Sequence, residues 1–308
     1  MIRELARPPR LKRGDKVAVV APSGPVARES HAERMAVLSG WGLEPVVMPH
    51  VFDEHPDLWF LAGNDRDRAA DFQAAWCDRE VAAVFSDRGG YGAGRIIDLL
   101  DWEAMAKAGP KLYVGYSDAT ALHEAIAARL GLATLHGPMP GVSAFADDRT
   151  REHLRRTLFE PESVRTIRAE SSKALVSGRA EGVTLGGCAS LLGSTVGGPH
   201  SLASAAGGLV CLEDVEEEDY RLDRILTQLR RSGWFDGVAG VLLGSWKDCG
   251  PYERVRAVLA DRLGDLGVPV VEEFGFGHGL PALTIPFGVR ASLDADAGVL
   301  ELEEPALL

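Results

Sequence analysis

The chain has 308 residues, 46% hydrophobic and 25% charged, the proportions of a soluble globular protein with room for two ordinary domains. Its net charge of −12 argues against a general phosphate-backbone surface, so nucleic acid is excluded as the expected partner. No apolar run approaches the ~20 residues that span a bilayer, and the first ten residues lack the apolar core of a signal peptide, so a cytoplasmic protein with no membrane partner is expected.

Residues 17–20 are fully apolar and predict a buried strand, followed by a helix from about 27 to 38. The alternation continues with a strand at 45–48, a polar helix at 65–77, a strand at 81–85, a helix at 93–100 and a strand at 112–114. In the helix that follows, Leu122, Ala125, Ile126 and Leu130 recur at helical spacing, and Gly131 is a natural stop. Repeated strand–helix units imply a mostly parallel sheet covered on both faces, with function at the carboxyl ends of its strands. Residues 161–178 lack long apolar strands and read as a linker between a domain at 1–160 and another at 179–308. The second half offers strands at 208–212, 240–243 and 268–271, helices at 220–231 and 252–263, and a hairpin-like stretch at 284–302. It reads as an α+β domain with antiparallel character near its end.

Ser117 lies in Gly115-Tyr116-Ser117-Asp118-Ala119, between an apolar strand and an amphipathic helix. A serine on such a turn projects its hydroxyl above the sheet beside unpaired helix N–H groups, the arrangement of a nucleophile elbow, although a simple helix cap has the same outline. A serine nucleophile needs a base and a carboxylate that orients the base. The apolar strand 208–212 ends in Glu213-Asp214, making Glu213 the first choice for the acid, with Asp214 and Glu217 in reserve; the same acidic run could instead favour the next helix N-terminus. For the base, His278 sits in a glycine-rich loop, a usual place for function. His136, after another strand of the first sheet, is its nearest rival, while His31 and His153 read as solvated helix positions.

The turn Asp87-Arg88-Gly89-Gly90-Tyr91-Gly92 also follows a strand and opens a helix. It is not a GxGxxG placed after the first strand, so it does not predict a dinucleotide site. The amides of Gly90 and Asp118 are the expected oxyanion hole. Arg88 is the candidate for a substrate carboxylate, through paired N–H bonds, with a structural ion pair as the alternative. Cys77, Cys188, Cys211 and Cys249 show neither CxxC spacing nor disulfide-scaffold density, and no metal framework emerges.

Taken in order, the motifs VAVVAPSGPV at 17–26, FLAGNDRDRAADF at 60–72, SDRGGYGAGRIIDLLDW at 86–102, VGYSDATALH at 114–123, LHGPM at 135–139, LEDVEEEDYRLDRILTQL at 212–229 and GFGHGLPALTIPFG at 275–288 resemble the LD-carboxypeptidase family of serine peptidases, which also contains the microcin C immunity peptidases. The resemblance runs nearly end to end. It implies a Ser117–Glu213–His278 triad, an N-terminal Rossmann-like domain, a C-terminal swivelling domain, a site between them and a homodimer, with no metal and no cofactor. It further implies release of terminal D-alanine from a muropeptide tetrapeptide in cytoplasmic murein recycling. One departure stands out: the family often has Gly-Gly-Asn-Leu where this chain has Gly186-Gly187-Cys188-Ala189, which removes the asparagine's hydrogen bonds. The competing expectations are an immunity-type peptidase acting on aminoacyl or peptidyl nucleotide conjugates, and a non-catalytic two-domain binder of a small ligand. The nucleotide substrate would want an aromatic surface, and no tryptophan falls between Trp102 and Trp234.

Overall fold

The computed structural model describes residues 1–29 and 31–308. Its first half runs β1 (Lys16–Val20), α1 (His31–Gly40), β2 (Glu44–Val47), α2 (Asp65–Cys77), β3 (Val81–Ser86), α3 (Ala93–Ile96), α4 (Trp102–Ala108), β4 (Leu112–Gly115), α5 (Thr120–Leu130), β5 (Thr134–His136) and α6 (Asp148–Phe159). The apolar strands are buried along both faces because helices cover each side, which is why they read as unbroken hydrophobic runs. Local chemistry sets the helix ends. Asn64 caps α2 by accepting from the Asp67 amide, and Gly131 ends α5 at φ 64°. The predicted helix at 93–100 splits, with α3 giving way to a 3-10 turn at Ile97–Leu99, and α4 was not anticipated.

The second half runs β6 (Thr166–Arg168), β7 (Lys173–Val176), β8 (Arg179–Cys188), α7 (Ala189–Thr195), β9 (Gly208–Val215), α8 (Asp219–Arg231), β10 (Gly240–Lys247), α9 (Tyr252–Leu263), β11 (Val270–Glu272), β12 (Ile285–Phe287), β13 (Arg290–Asp294) and β14 (Val299–Leu302). The segment 161–178, expected as a linker, supplies the short strands β6 and β7 at the two edges of the second sheet.

Two sheets result. The first has the order β12-β5-β4-β3-β1-β2, with β1 to β5 parallel in a doubly wound sequence whose switch point lies between β1 and β3. The second has the order β6-β14-β13-β8-β9-β10-β11-β7. Its centre, β8 to β11, is parallel because α7, α8 and α9 carry the chain back each time, while β13, β14, β6 and β7 add the antiparallel margins. The hairpin expected over 284–302 is therefore only β13 and β14. Its first residues, β12, cross to the first sheet and pair antiparallel with β5, setting Ile285 opposite His136. One buried cluster joins Val19, Phe85 and Val114 of the first sheet to Leu209, Cys211 and Leu242 of the second.

Polar contacts also bridge the halves. Glu124 on α5 is buried, with Oε2 accepting from Thr195 Oγ1 at 2.6 Å and Oε1 from the Leu202 amide at 3.3 Å. Burial pushes its carboxyl up to about 7, only partly offset by those hydrogen bonds. A carboxyl raised in the folded state keeps its proton there while the unfolded chain has lost it. Its contribution is thus fully present below pH 4.5 and is lost as pH rises through 7. The change is on the order of 3 kcal/mol at most. Urea midpoints of wild type and Glu124→Gln at pH 5 and pH 8 should show a larger fall for wild type; equal falls would mean Glu124 is ionised throughout.

Candidate active site

Ser117 follows β4 and has φ 64°, in the left-handed region where a non-glycine side chain is strained by about 1–3 kcal/mol. The turn is held from below: a Cβ on Gly115 would lie 2.8 Å from the Ala119 Cβ, so both positions must stay small. The strain and the packing make this a strand-to-helix elbow rather than a plain cap, with the serine partly exposed at the carboxyl edge of the sheet.

The glycine turn after β3 lies against it. A Cβ on Gly89 would sit 2.8 Å from Ser117 Cβ and 2.9 Å from Oγ, so only glycine lets that backbone approach the hydroxyl. The Gly24 amide donates to the Gly89 carbonyl at 3.0 Å, tying together the loops after β1 and β3. Gly90 follows with φ 106°; its amide and that of Asp118 donate to nothing among the described residues. The Asp118 side chain is buried and accepts from the Ala93 amide at 2.7 Å, pinning the glycine turn to the elbow. Burial raises its pKa, against the pull of its hydrogen bonds. Arg88 is exposed, gives one Nη1 bond of 2.7 Å to the Pro25 carbonyl, and forms no ion pair among the described residues.

Glu213 lies near the end of β9, fully buried, and its Oε2 is 2.6 Å from His278 Nδ1. Gly277, at φ 92°, makes room: a Cβ there would come within 2.4 Å of that same oxygen. Burial alone would raise the Glu213 pKa, but His278 and His136 outweigh it and hold the carboxyl down at about 2. Burial works in the opposite sense on His278, lowering its pKa, yet the adjoining carboxylate raises the imidazole above its ordinary value. The second oxygen of Glu213 has no hydrogen bond among the described residues; His136 Nε2 stands 3.7 Å from it. Ser117 Oγ and His278 share no hydrogen bond among the described residues. Tyr116, the residue before Ser117, packs its ring against the imidazole at a centroid distance of 4.8 Å.

The other expected candidates fall elsewhere. Asp214 turns to the opposite side of β9, accepting from Cys188 Sγ at 3.0 Å and the Ser190 amide at 2.7 Å, and Glu217 pairs with Arg221 at 3.0 Å. Cys188 thus replaces the family asparagine with a buried thiol bound to Asp214, and burial together with Glu213 and Asp214 pushes that thiol's pKa up. The reading of His31 and His153 as solvated is corrected. His31 is buried with Nε2 3.4 Å from Asp87, and His153 Nδ1 accepts from the Thr284 amide at 3.1 Å. Helical period locates a face, not what covers it. Sequence reading also missed an aromatic row beside the glycine turn, where Trp59, Phe60 and Tyr91 follow at ring-centroid spacings of 5.8 and 5.7 Å, with Trp59 84% exposed. Its members are 31 residues apart at the Phe60–Tyr91 contact, so no local pattern marks it.

Comparison with known proteins follows the same architecture. The family model described as "LD-carboxypeptidase N-terminal domain" matches residues 17–137, and the one described as "LD-carboxypeptidase C-terminal domain" matches residues 181–293. A Streptomyces coelicolor protein with a provisional carboxypeptidase name is 64% identical over 99% of each chain. The murein tetrapeptide carboxypeptidase of Pseudomonas aeruginosa is 30% identical over 91% of this chain and 94% of its own. The solved structure of MccF in complex with glutamyl sulfamoyl guanosine superposes with a TM-score of 0.86 at 22% identity, covering 98% of this chain and 99% of that one, a likeness of fold.

Proposed function

The chain belongs to the LD-carboxypeptidase family of serine peptidases, and we propose that it releases the terminal D-alanine of a muropeptide tetrapeptide during cytoplasmic murein recycling, acting as a homodimer. The observation that carries this reading is the 2.6 Å contact between Glu213 and His278, whose imidazole packs 4.8 Å from the ring of Tyr116, the residue that precedes Ser117 in its strained elbow. Ser117 Oγ attacks the carbonyl before D-alanine while His278 Nε2 takes its proton. The oxyanion meets the amides of Gly90 and Asp118. His278 then passes the proton to the departing amine, and water releases the acyl group from Ser117 by the reverse sequence. Glu213 keeps the proton on His278 Nδ1, so that Nε2 is the free base. The chemistry calls on no metal or cofactor.

The hydrogen bond from serine to imidazole is the link this arrangement leaves open, and such links commonly tighten only when substrate fills the site. Arg88, whose guanidinium makes one hydrogen bond among the described residues, has donors left for the substrate's terminal carboxylate, which supports Arg88 as the group that holds it. Arg88→Lys, which keeps the charge and loses the paired geometry, should raise KM by about tenfold with little change in kcat. Unchanged steady-state constants for a tetrapeptide would remove Arg88 from recognition.

A second reading is favoured by one feature: the Trp59–Phe60–Tyr91 row, exposed at Trp59 and Tyr91, could stack a nucleobase, as an aminoacyl or peptidyl nucleotide substrate would require. The two readings part in one assay. L-Ala-γ-D-Glu-meso-diaminopimelate-D-Ala and an acyl-sulfamoyl adenylate are incubated side by side, and released D-alanine is measured against released nucleotide. D-alanine is the expected product, and exclusive nucleotide release would overturn the first reading. A non-catalytic binder would give neither product and no labelling of Ser117 by a fluorophosphonate.

A further inference from the structure

His136 is 1% exposed, and neither of its ring nitrogens has a hydrogen-bond partner among the described residues. Buried polar atoms are rarely left unpaired, so two orphans on one ring need an explanation. A third lies opposite: Glu213 Oε1, equally buried and equally unpartnered, 3.7 Å from His136 Nε2. The other oxygen of that carboxylate is already taken by His278 at 2.6 Å. The acid therefore lies between two imidazoles, one partly exposed and one sealed behind it.

The position of His136 is fixed by the fold. It ends β5, between β4 on one side and β12 on the other, in register with Gly115 and Ile285. Rings surround it, with Tyr116, Phe276 and Phe287 at centroid distances of 5.8, 5.7 and 5.3 Å. His123, 6.2 Å away on α5, has both nitrogens committed to Thr134 and the Gly115 carbonyl. It cannot supply Glu213 in place of His136.

We propose that His136 is a positioning residue which donates its Nε2–H to the free oxygen of Glu213, clamping the acid as the anion that orients His278. This rests on the reading of Ser117, Glu213 and His278 given above. Charge assigns the protonation state. During catalysis His278 becomes cationic beside the Glu213 anion, so a neutral His136 leaves the buried group with no net charge. A protonated His136 would add an unpaired cation among Phe276, Phe287 and Tyr116, at a heavy desolvation cost. The required species is the neutral Nε2–H tautomer with a bare Nδ1. A separation of 3.7 Å is long for the bond, and it has to shorten for the clamp to close.

Removing this donor leaves the Glu213 charge uncompensated on one side, which holds the proton on His278 more tightly. The other groups that act on His278 are the Tyr116 ring packed against it and, at longer range, the charges of Lys247 on β10 and of Asp214 on the far side of β9, and none of them changes in the variants used. His136→Phe suits the aromatic surroundings and deletes the donor; His136→Gln restores an N–H near the same place. His136→Phe should lower kcat by about 10- to 100-fold, the usual cost of losing an outer-shell partner. KM should hold, and the acidic limb of kcat/KM should move to higher pH. His136→Gln should recover most of the activity and return the limb.

A merely structural histidine would not shift the limb, nor be rescued by an amide. Wild-type kcat and pH profile in His136→Phe, or a His136→Gln no better than His136→Phe, would overturn the proposal. Histidine ¹⁵N shifts of the wild-type protein test it without any variant. The Nε2–H tautomer at pH 7 is expected, and an imidazolium or an Nδ1–H tautomer overturns it. Ser117→Ala in the same series keeps the two readings apart: if it stays active the triad reading falls, whereas an inactive Ser117→Ala beside a fully active His136→Phe sinks only the clamp.

Discussion

Ser117→Ala, His278→Ala and the double variant should all fall to one floor, each losing on the order of 10⁶ in kcat toward the tetrapeptide. In the proposed mechanism the two side chains serve a single proton transfer, so once either is gone the other has nothing to act on. Activity remaining at that floor comes from binding and from the amides of Gly90 and Asp118, which neither substitution touches. Single-turnover release of D-alanine is the measurement, because it separates the chemical step from product departure. A double variant that loses the product of the two single factors would mean that Ser117 and His278 contribute independently. The same result is expected of neither Asp214 nor Glu217, whose carboxylates are engaged with Cys188 and Arg221.

How far the site could be read in advance depended on whether its determinants were local. Ser117 was legible because the apolar strand and the amphipathic helix that force its turn are contiguous with it, and the observed φ of 64° is the outcome of that local conflict. Glu213 was legible for a related reason: four apolar residues precede it in a strand, and a carboxylate at the end of such a strand must find a partner. His278 was different. Its glycine-rich loop made it a candidate, but that loop carries no periodic signal to set it above rivals such as His136, and the family resemblance added that weight. Its approach to Glu213 depends on a glycine, Gly277, that leaves the carboxylate room, and on β12 crossing back to the first sheet. That crossing involves only Ile285, Pro286 and Phe287, too few residues to show any alternation, and its partner is chosen by tertiary packing. The same nonlocal pairing hid the role of His136, whose place at a strand end was evident while its neighbour on β9 was not. In the second half, the antiparallel edge was legible from the hairpin of β13 and β14, but the parallel centre depends on crossovers that bring together strands 20 or more residues apart.

Glu213→Gln is the sharpest probe of how the imidazole is held. Glutamine matches the carboxylate in shape, so it can stay in the space left by Gly277 and the buried end of β9. It changes only what faces His278 Nδ1. A carboxylate accepts from that nitrogen; an amide can instead turn its own N–H toward it, which favours the tautomer with the proton on Nε2. That tautomer has nothing with which to take the serine proton. The expected loss in kcat is on the order of 10⁴, the scale seen when the orienting acid of a serine triad is replaced by its amide, with KM little altered. The pH profile should move as well. Since the adjoining carboxylate is what raises His278 against the effect of burial, its loss lets burial act alone, and the acidic limb should shift to lower pH even as the plateau collapses. Glu213→Asp restores the charge but shortens the side chain by one methylene, breaking a 2.6 Å contact, and should recover only part of the rate. Asp214→Asn should stay within a few-fold of wild type, because its carboxylate points to Cys188 and Ser190. If Glu213→Gln kept more than a tenth of the activity while Asp214→Asn lost it, the orienting acid would be Asp214, and the two faces of β9 would have exchanged roles.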